Sequence, residues 1–421
     1  MEQRIRDSLT RPEYLEHLYN ENKKQFKESF AKVIIHQPST ELIRFWQTRL
    51  LFAQEQIEKY SNLKLNLIPL FISIIFVAFF IRLADIFSFT PVASEMYQFR
   101  NPAIIVFLGL TIYGLLVNER RDLTVTLGFV LVYILLALQL NSLPQFSRNQ
   151  ILPLAIIHSP IICWFLYGMA INSKGINNRE YWMKFLRYNG DLIVFSGLIL
   201  ICWLIIFGVT TYLLDTLDYK YSMLFLEKLL VVAAAVTPLI ACFATERMPI
   251  LGNKIVPLIA RIFNPIVLIV LVIYMIIFVE AGRNLFSERE FLMLFNVILF
   301  SVLAIILFSL SNIAERGTDK YRLLILYLLT LFSCSLNLIG LSAIIYRLIN
   351  YGLTPNRVAL VAMNLLVFGN LIKIGIDLLL VHSGKKSLEK VSLGIAGYLP
   401  LYGIWALAVV VLFPLIFPSW L

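Results

Sequence analysis

The chain has 421 residues, 59% of them hydrophobic, with a mean hydropathy of +0.80 and a formal net charge of +10. Apolar content this high excludes an ordinary soluble globular protein. The basic excess does not point to nucleic acid, because the cations sit at the flanks of apolar runs and not in a patch of their own.

Residues 1–63 are the sizeable polar segment, a cytoplasmic amphipathic helical domain. Their spacing predicts two helices, over 12–35 and 40–61, the second starting at Pro38, Ser39, Thr40 and Glu41. Two roles fit: a cap lying on the membrane surface, or a docking site for a protein partner. The first 60 residues are charged and polar with no early apolar region, so no cleavable signal peptide is expected.

Residues 64–421 form the membrane domain. A span needs roughly 20 mostly apolar residues to cross about 30 Å of hydrocarbon. Eleven segments are expected to do so: 65–82, 102–118, 123–140, 151–170, 191–214, 225–243, 264–282, 291–311, 322–346, 358–381 and 394–417. The fold class is therefore all-α, a polytopic integral membrane protein with short loops. With the N-terminus inside, about 26 of the 36 Lys and Arg residues fall on inner segments and about 8 on outer ones. That asymmetry predicts an inside N-terminus and, for an odd span count, an outside C-terminus. Segments 171–190 and 247–263 mix aromatic and basic residues and are predicted to lie at the inner interface.

Polar groups inside apolar runs cost free energy and mark candidate sites. His158 lies mid-span beside Ser159 and Pro160, as a proton carrier or as a packing histidine. Glu280 and Arg283 end the seventh span and are expected to pair at the surface. The ninth span carries Ser333, Ser335 and Asn337, which serve helix packing or a polar cavity. The tenth is the most informative. At 100° per residue, Asn370, Lys373 and Asp377 share one face, while Arg357 and Asn364 share nearly the opposite one. Lys373 and Asp377, at i,i+4, can pair along the helix. A polar face lining a substrate path and a lysine snorkelling to the surface are both compatible with this pattern. The four cysteines, Cys163, Cys202, Cys242 and Cys334, all fall inside apolar spans, as small hydrophobes and not as a disulfide or zinc framework.

Between spans nine and ten runs RLINYGLTPNRV, Arg347 to Val358. Gly352 supplies an unusual backbone angle, and Thr354 before Pro355 fits an N-cap with proline at the first helical position. Two arginines, Arg347 and Arg357, flank this turn on the side that disfavours cations, which suggests that they face an anionic group. The string from Arg347 through Tyr351, Gly352, Leu353, Thr354 and Pro355 to Arg357 resembles the signature of a bacterial multi-pass membrane family, domain of unknown function 4153. The resemblance implies a bacterial inner-membrane location and a polytopic helical fold; it implies no reaction.

There is no paired-histidine, Asp-rich, nucleophile or Gly-rich phosphate motif, so no metal or other cofactor is expected. The expected function is transport, or the handling of a lipid or envelope precursor, with membrane lipids and an anionic or lipid-linked substrate as partners. The alternatives are a membrane-embedded enzyme acting on a lipid-linked substrate, using Arg347, Arg357 and His158, and a non-catalytic envelope scaffold.

Overall fold

A computed structural model describes residues 1–34, 40–50, 67–117, 123–145, 150–172, 178–216, 223–247, 262–273, 275–276, 289–316 and 320–420. Among these, every regular element is helical. The chain divides into two compact units, Met1–Asn66 and Leu67–Leu421.

The first unit holds α1 (Glu2–Arg6), α2 (Pro12–Glu21), α3 (Lys23–Ile34) and α4 (41–50). Where the pattern predicts one helix over 12–35, the chain breaks at Asn22, whose φ of −155° and ψ of 94° are extended. The Asn22 side chain accepts from the Gln25 backbone at 3.0 Å and so caps α3. Asparagine competes for backbone hydrogen bonds in this way, and this ends a helix without Gly or Pro. Thr40 caps α4 through the Ile43 amide, at 3.4 Å. The apolar faces turn toward one another: Ile5, Leu15, Leu18, Phe26, Phe30, Val33 and Trp46 are all buried in one cluster. The Arg49 guanidinium lies 4.8 Å from the Trp46 ring centroid and contacts Glu16 at 2.6 Å. The side chains that a surface-lying helix would dip into lipid are thus used in an internal core. The expected helix start at Pro38 and Ser39, and everything after residue 50 in the second predicted helix, lie outside the described residues.

The second unit comprises α5 (Leu67–Ile81), α6 (Leu83–Ile86), α7 (Pro91–Arg100), α8 (Pro102–Val117), α9 (Leu123–Ser142) and α10 (Ile151–Ile171). It continues with α11 (Arg179–Thr216), α12 (Met223–Arg247), α13 (Ile262–Ile273), α14 (Arg289–Arg316), α15 (Lys320–Tyr351) and α16 (Pro355–His382). Three short helices close it: α17 (Leu388–Ala396), α18 (Leu399–Val411) and α19 (Phe413–Ile416). Among the described residues, eight helical stretches are long and apolar enough to cross a membrane, the α17–α18 run Leu388–Val411 counting as one, or nine if the bent pair α7–α8 counts as another. The sequence pattern predicts eleven. The difference lies in α5, which has 15 residues, α8, which has 16 and is bent 52° from α7, and α13, described only to Ile273. The bend falls at Asn101, ahead of Pro102, whose ring leaves no N–H to continue the hydrogen-bond ladder from α7 into α8. The predicted seventh span beyond residue 276, with Glu280 and Arg283, and most of segment 247–263 lie outside the described residues.

The predicted interfacial segment 171–190 is not a separate helix. From Arg179 it is the first part of α11, a continuous helix of 38 residues. Trp182 and Phe185 are buried against α10, where Trp164 lies 5.0 Å from Phe185. Further along, α11 exposes Ile201, Leu204, Ile205, Ile206, Val209 and Leu213. An apolar surface of this extent needs an apolar surrounding.

The helices meet at glycines. A Cβ at Gly109 would collide with Val77; one at Gly168 would lie 2.9 Å from Trp182; one at Gly340, 2.9 Å from Phe295; one at Gly403, 2.9 Å from Phe165. Small residues at such seams let helix backbones approach closely where apolar surroundings supply no driving force of their own.

Candidate functional site

Helix α16 organises the polar groups. It pairs with α15 along most of its length and also touches α17 and α18. The polar residues expected on it divide into two clusters on different sides, as their angular spacing requires.

On the α15 side, Asn364 donates to Asn296 Oδ1 of α14 at 2.7 Å and to Leu360 O at 2.9 Å. Asn337 donates to Asn364 O at 3.3 Å. All three asparagines are buried. The Asn337 and Asn364 side-chain oxygens accept nothing from the described residues. Ser333 donates within its own helix, to Leu329 O.

On the other side, Asn370 donates to the Tyr402 hydroxyl at 3.0 Å, and its own Oδ1 is buried and unpartnered among the described residues. One to two turns on, Asp377 is buried between two lysines. Lys373 Nζ lies 3.4 Å from Oδ2, and Lys386 Nζ 2.5 Å from Oδ1. Both Lys373 and Asp377 face α17, since a Cβ at Gly394 would collide with Lys373 Nζ and lie 3.5 Å from Asp377 Oδ2. One turn along, a Cβ at Gly397 would lie 3.2 Å from the Arg179 guanidinium carbon. The cluster therefore holds more positive than negative charge, against a helix stripped of side chains where the cations need room.

Lys386 is absent from the sequence-level site. It arrives because Gly384 adopts φ +71° and the Lys385 and Lys386 amides both donate to Leu380 O, folding the chain back over the end of α16. A glycine just past a helix C-terminus signals such a turn. Asn296 and Tyr402 carry no comparable signal, because their roles depend on which helices become neighbours.

His158 joins neither cluster through a hydrogen bond. Its Nδ1 lies 2.8 Å from Leu154 O. The neighbouring Pro160 has no N–H to offer Ile156 O, and the Ser159 hydroxyl donates to that oxygen instead, at 3.0 Å. The His-Ser-Pro string thus mends a proline break inside a spanning helix.

The turn between α15 and α16 is built as its residues suggest. Gly352 has φ +79°, and Thr354 Oγ1 accepts from the Arg357 amide at 3.3 Å. Arg357 Nη1 donates to Tyr351 O at 2.6 Å and to Gly352 O at 2.7 Å, and its guanidinium lies over the Tyr351 ring. It closes the C-terminal end of α15, where unpaired carbonyls and the helix dipole favour a cation. Arg100 does the same for α9, donating to Leu140 O at 3.1 Å and Asn141 O at 2.9 Å. Arg347 differs: its Nη1 is buried without a hydrogen-bond partner among the described residues.

No protein-family model, curated protein or solved structure matches this chain. The site is therefore interpreted from its own chemistry. Among the described residues, no group of three or more His, Cys, Asp or Glu side chains is placed to hold a metal ion. What the α16–α17 cluster can do is exchange one anion for another: a phosphate or carboxylate can compete with Asp377 for Lys373 and Lys386.

Proposed function

We propose that the chain is a multi-pass protein of the bacterial cytoplasmic membrane that transports, or hands across the membrane, an anionic solute or lipid-linked envelope precursor. The observation that carries this reading is Asp377 held between Lys373 and Lys386 beside the glycine-bearing α17. A buried carboxylate with two cations is costly to keep for stability alone, and a displaceable counter-ion is a direct use for it. The unpartnered amide oxygens of Asn337, Asn364 and Asn370 support the same reading, since buried acceptors left unpaired cost about 1–3 kcal/mol each. Arg347, whose Nη1 has no partner among the described residues, lies toward the opposite end of α15 and is a second contact for an anion on the outer side. The Tyr351–Arg357 turn supports membership of the domain of unknown function 4153 family. In this topology all eleven apolar segments cross, with α5, α8 and α13 as the short ones, the N-terminus inside and the C-terminus outside.

The purified chain in detergent tests the anion site. Inorganic phosphate or short-chain phosphatidylglycerol should raise its melting temperature saturably. Lys373→Met and Lys386→Met should each weaken that response. Equal responses in wild type and both variants would refute the site. Partner docking on the first unit is a second reading, favoured by Phe45, which is 56% exposed on a unit whose other large apolar side chains mostly pack inward.

A further inference from the structure

A separate pocket of about 290 Å³ opens between the C-terminal ends of α8, α10 and α12 and the start of α11. Glu246 is the one carboxylate lining it among the described residues, and it is exposed. Tyr167, Tyr181, Phe185 and Tyr188 supply most of the wall, and Val117 stands at one side.

The polar atoms of these side chains are already committed. Tyr113, behind the wall, donates to Glu246 Oε2 at 2.7 Å and fixes the carboxylate. The Tyr181 hydroxyl donates to Gly168 O at 2.7 Å. The Tyr188 hydroxyl lies 2.7 Å from Cys242 Sγ and 3.2 Å from the Tyr167 hydroxyl. With the hydroxyls tied into the helices, the partly exposed Tyr181 and Tyr188 rings offer a ligand apolar and π surface more than hydrogen bonds, while Tyr167 and Phe185 back them from within the core. The lining cation, Lys184, is paired with Glu180 at 2.7 Å. Arg247, the next residue after Glu246, places its guanidinium over Phe243. What Glu246 offers a ligand is one anchored negative charge, with Arg247 also within electrostatic reach, beside an aromatic wall. Aromatic rings attract cations through their quadrupoles, and they recognise alkylated ammonium groups in this way.

We propose that this pocket binds a compact organic cation, an alkyl- or quaternary ammonium, with its charge against Glu246 and its alkyl groups on the Tyr181 and Tyr188 rings. The pocket shares no residue with the Lys373–Asp377–Lys386 cluster, so the two proposals stand or fall separately.

The test uses the full chain in detergent with tetraethylammonium chloride as the probe, and with sodium chloride and sodium benzoate at equal ionic strength. Trp164 and Trp182 adjoin Phe185, which makes intrinsic fluorescence a local readout. Tetraethylammonium should give a saturable change that neither sodium salt gives. Glu246→Gln should weaken the apparent affinity about threefold to fivefold, the loss expected for an exposed charge contact. Val117→Trp, which adds bulk to the pocket wall and leaves the carboxylate in place, should abolish the change. Unchanged affinity in Glu246→Gln or a retained response in Val117→Trp overturns the proposal, as does a wild-type response to benzoate in place of tetraethylammonium. If Glu246→Gln does not accumulate, Val117→Trp decides alone.

Discussion

Asp377 shows how a single side chain sets the character of its surroundings. Its carboxylate is 8% exposed, whereas Lys373 and Lys386 are 38% and 24% exposed. Removing the charge leaves two half-buried ammonium groups facing each other. Breaking a fully buried pair costs about 3–5 kcal/mol; with lysines this open, Asp377→Asn should cost about 1–3 kcal/mol. Unfolding in mixed micelles measures it. The double variant Asp377→Asn, Lys386→Met should recover part of the loss, because one of the uncompensated cations is then gone. Arg357 offers a contrast. Its place in the sequence predicts that it faces an anion, yet its Nη1 is engaged by Tyr351 O and Gly352 O. Arg357→Ala should loosen the turn by about 1–2 kcal/mol, as for a lost charge-assisted cap. Arg357→Lys should lose less than half of that, because one ammonium can still donate to two carbonyls. A lysine variant with normal membrane levels and no activity would instead return the arginine to a substrate-binding role.

At the scale of elements, the α14–α15–α16 contact depends on Asn364 more than on its neighbours. It donates to both Asn296 and Leu360. Asn364→Leu should destabilise the helix pair by about 0.6–1.7 kcal/mol, the range for interhelical hydrogen bonds in membranes. Ser335→Ala should change little, since Ser335 is only partly buried and bonds within its own helix. Thermal unfolding of the two variants side by side is the check. Helical periodicity made the two faces of α16 legible from the sequence, because angular position follows from residue number alone. It could not supply Asn296 or Tyr402, which lie 68 and 32 positions from Asn364 and Asn370. Nor could it place Arg179 beside Gly397, because no helix repeat generates such pairings. The same limit explains Asn22. A break made by an asparagine cap looks, in sequence, like one more polar residue on an amphipathic helix.

For the whole molecule, the distribution of cations predicts the orientation of the chain. A reporter active only in the cytoplasm should be silent when fused after Trp420 and active when fused ahead of Met1. A cytoplasmic signal at both ends would mean an even number of crossings, with one of α5, α8 and α13 failing to span. The hydropathy pattern made the apolar segments legible but not their true lengths, because hydropathy does not register a proline bend such as the one at Asn101, and an overlong helix such as α11 depends on what it packs against. The glycine seams extend this to inheritance. A collection of random single-residue changes, sorted only by whether the protein still accumulates, should lose Gly109→Ala, Gly168→Ala, Gly340→Ala and Gly403→Ala, where the added carbon meets a neighbouring helix. It should keep Gly128→Ala, Gly197→Ala and Gly208→Ala, where that carbon meets nothing within 4 Å. The tolerated and forbidden alanines would then trace, from genetics alone, which helix faces touch protein and which do not.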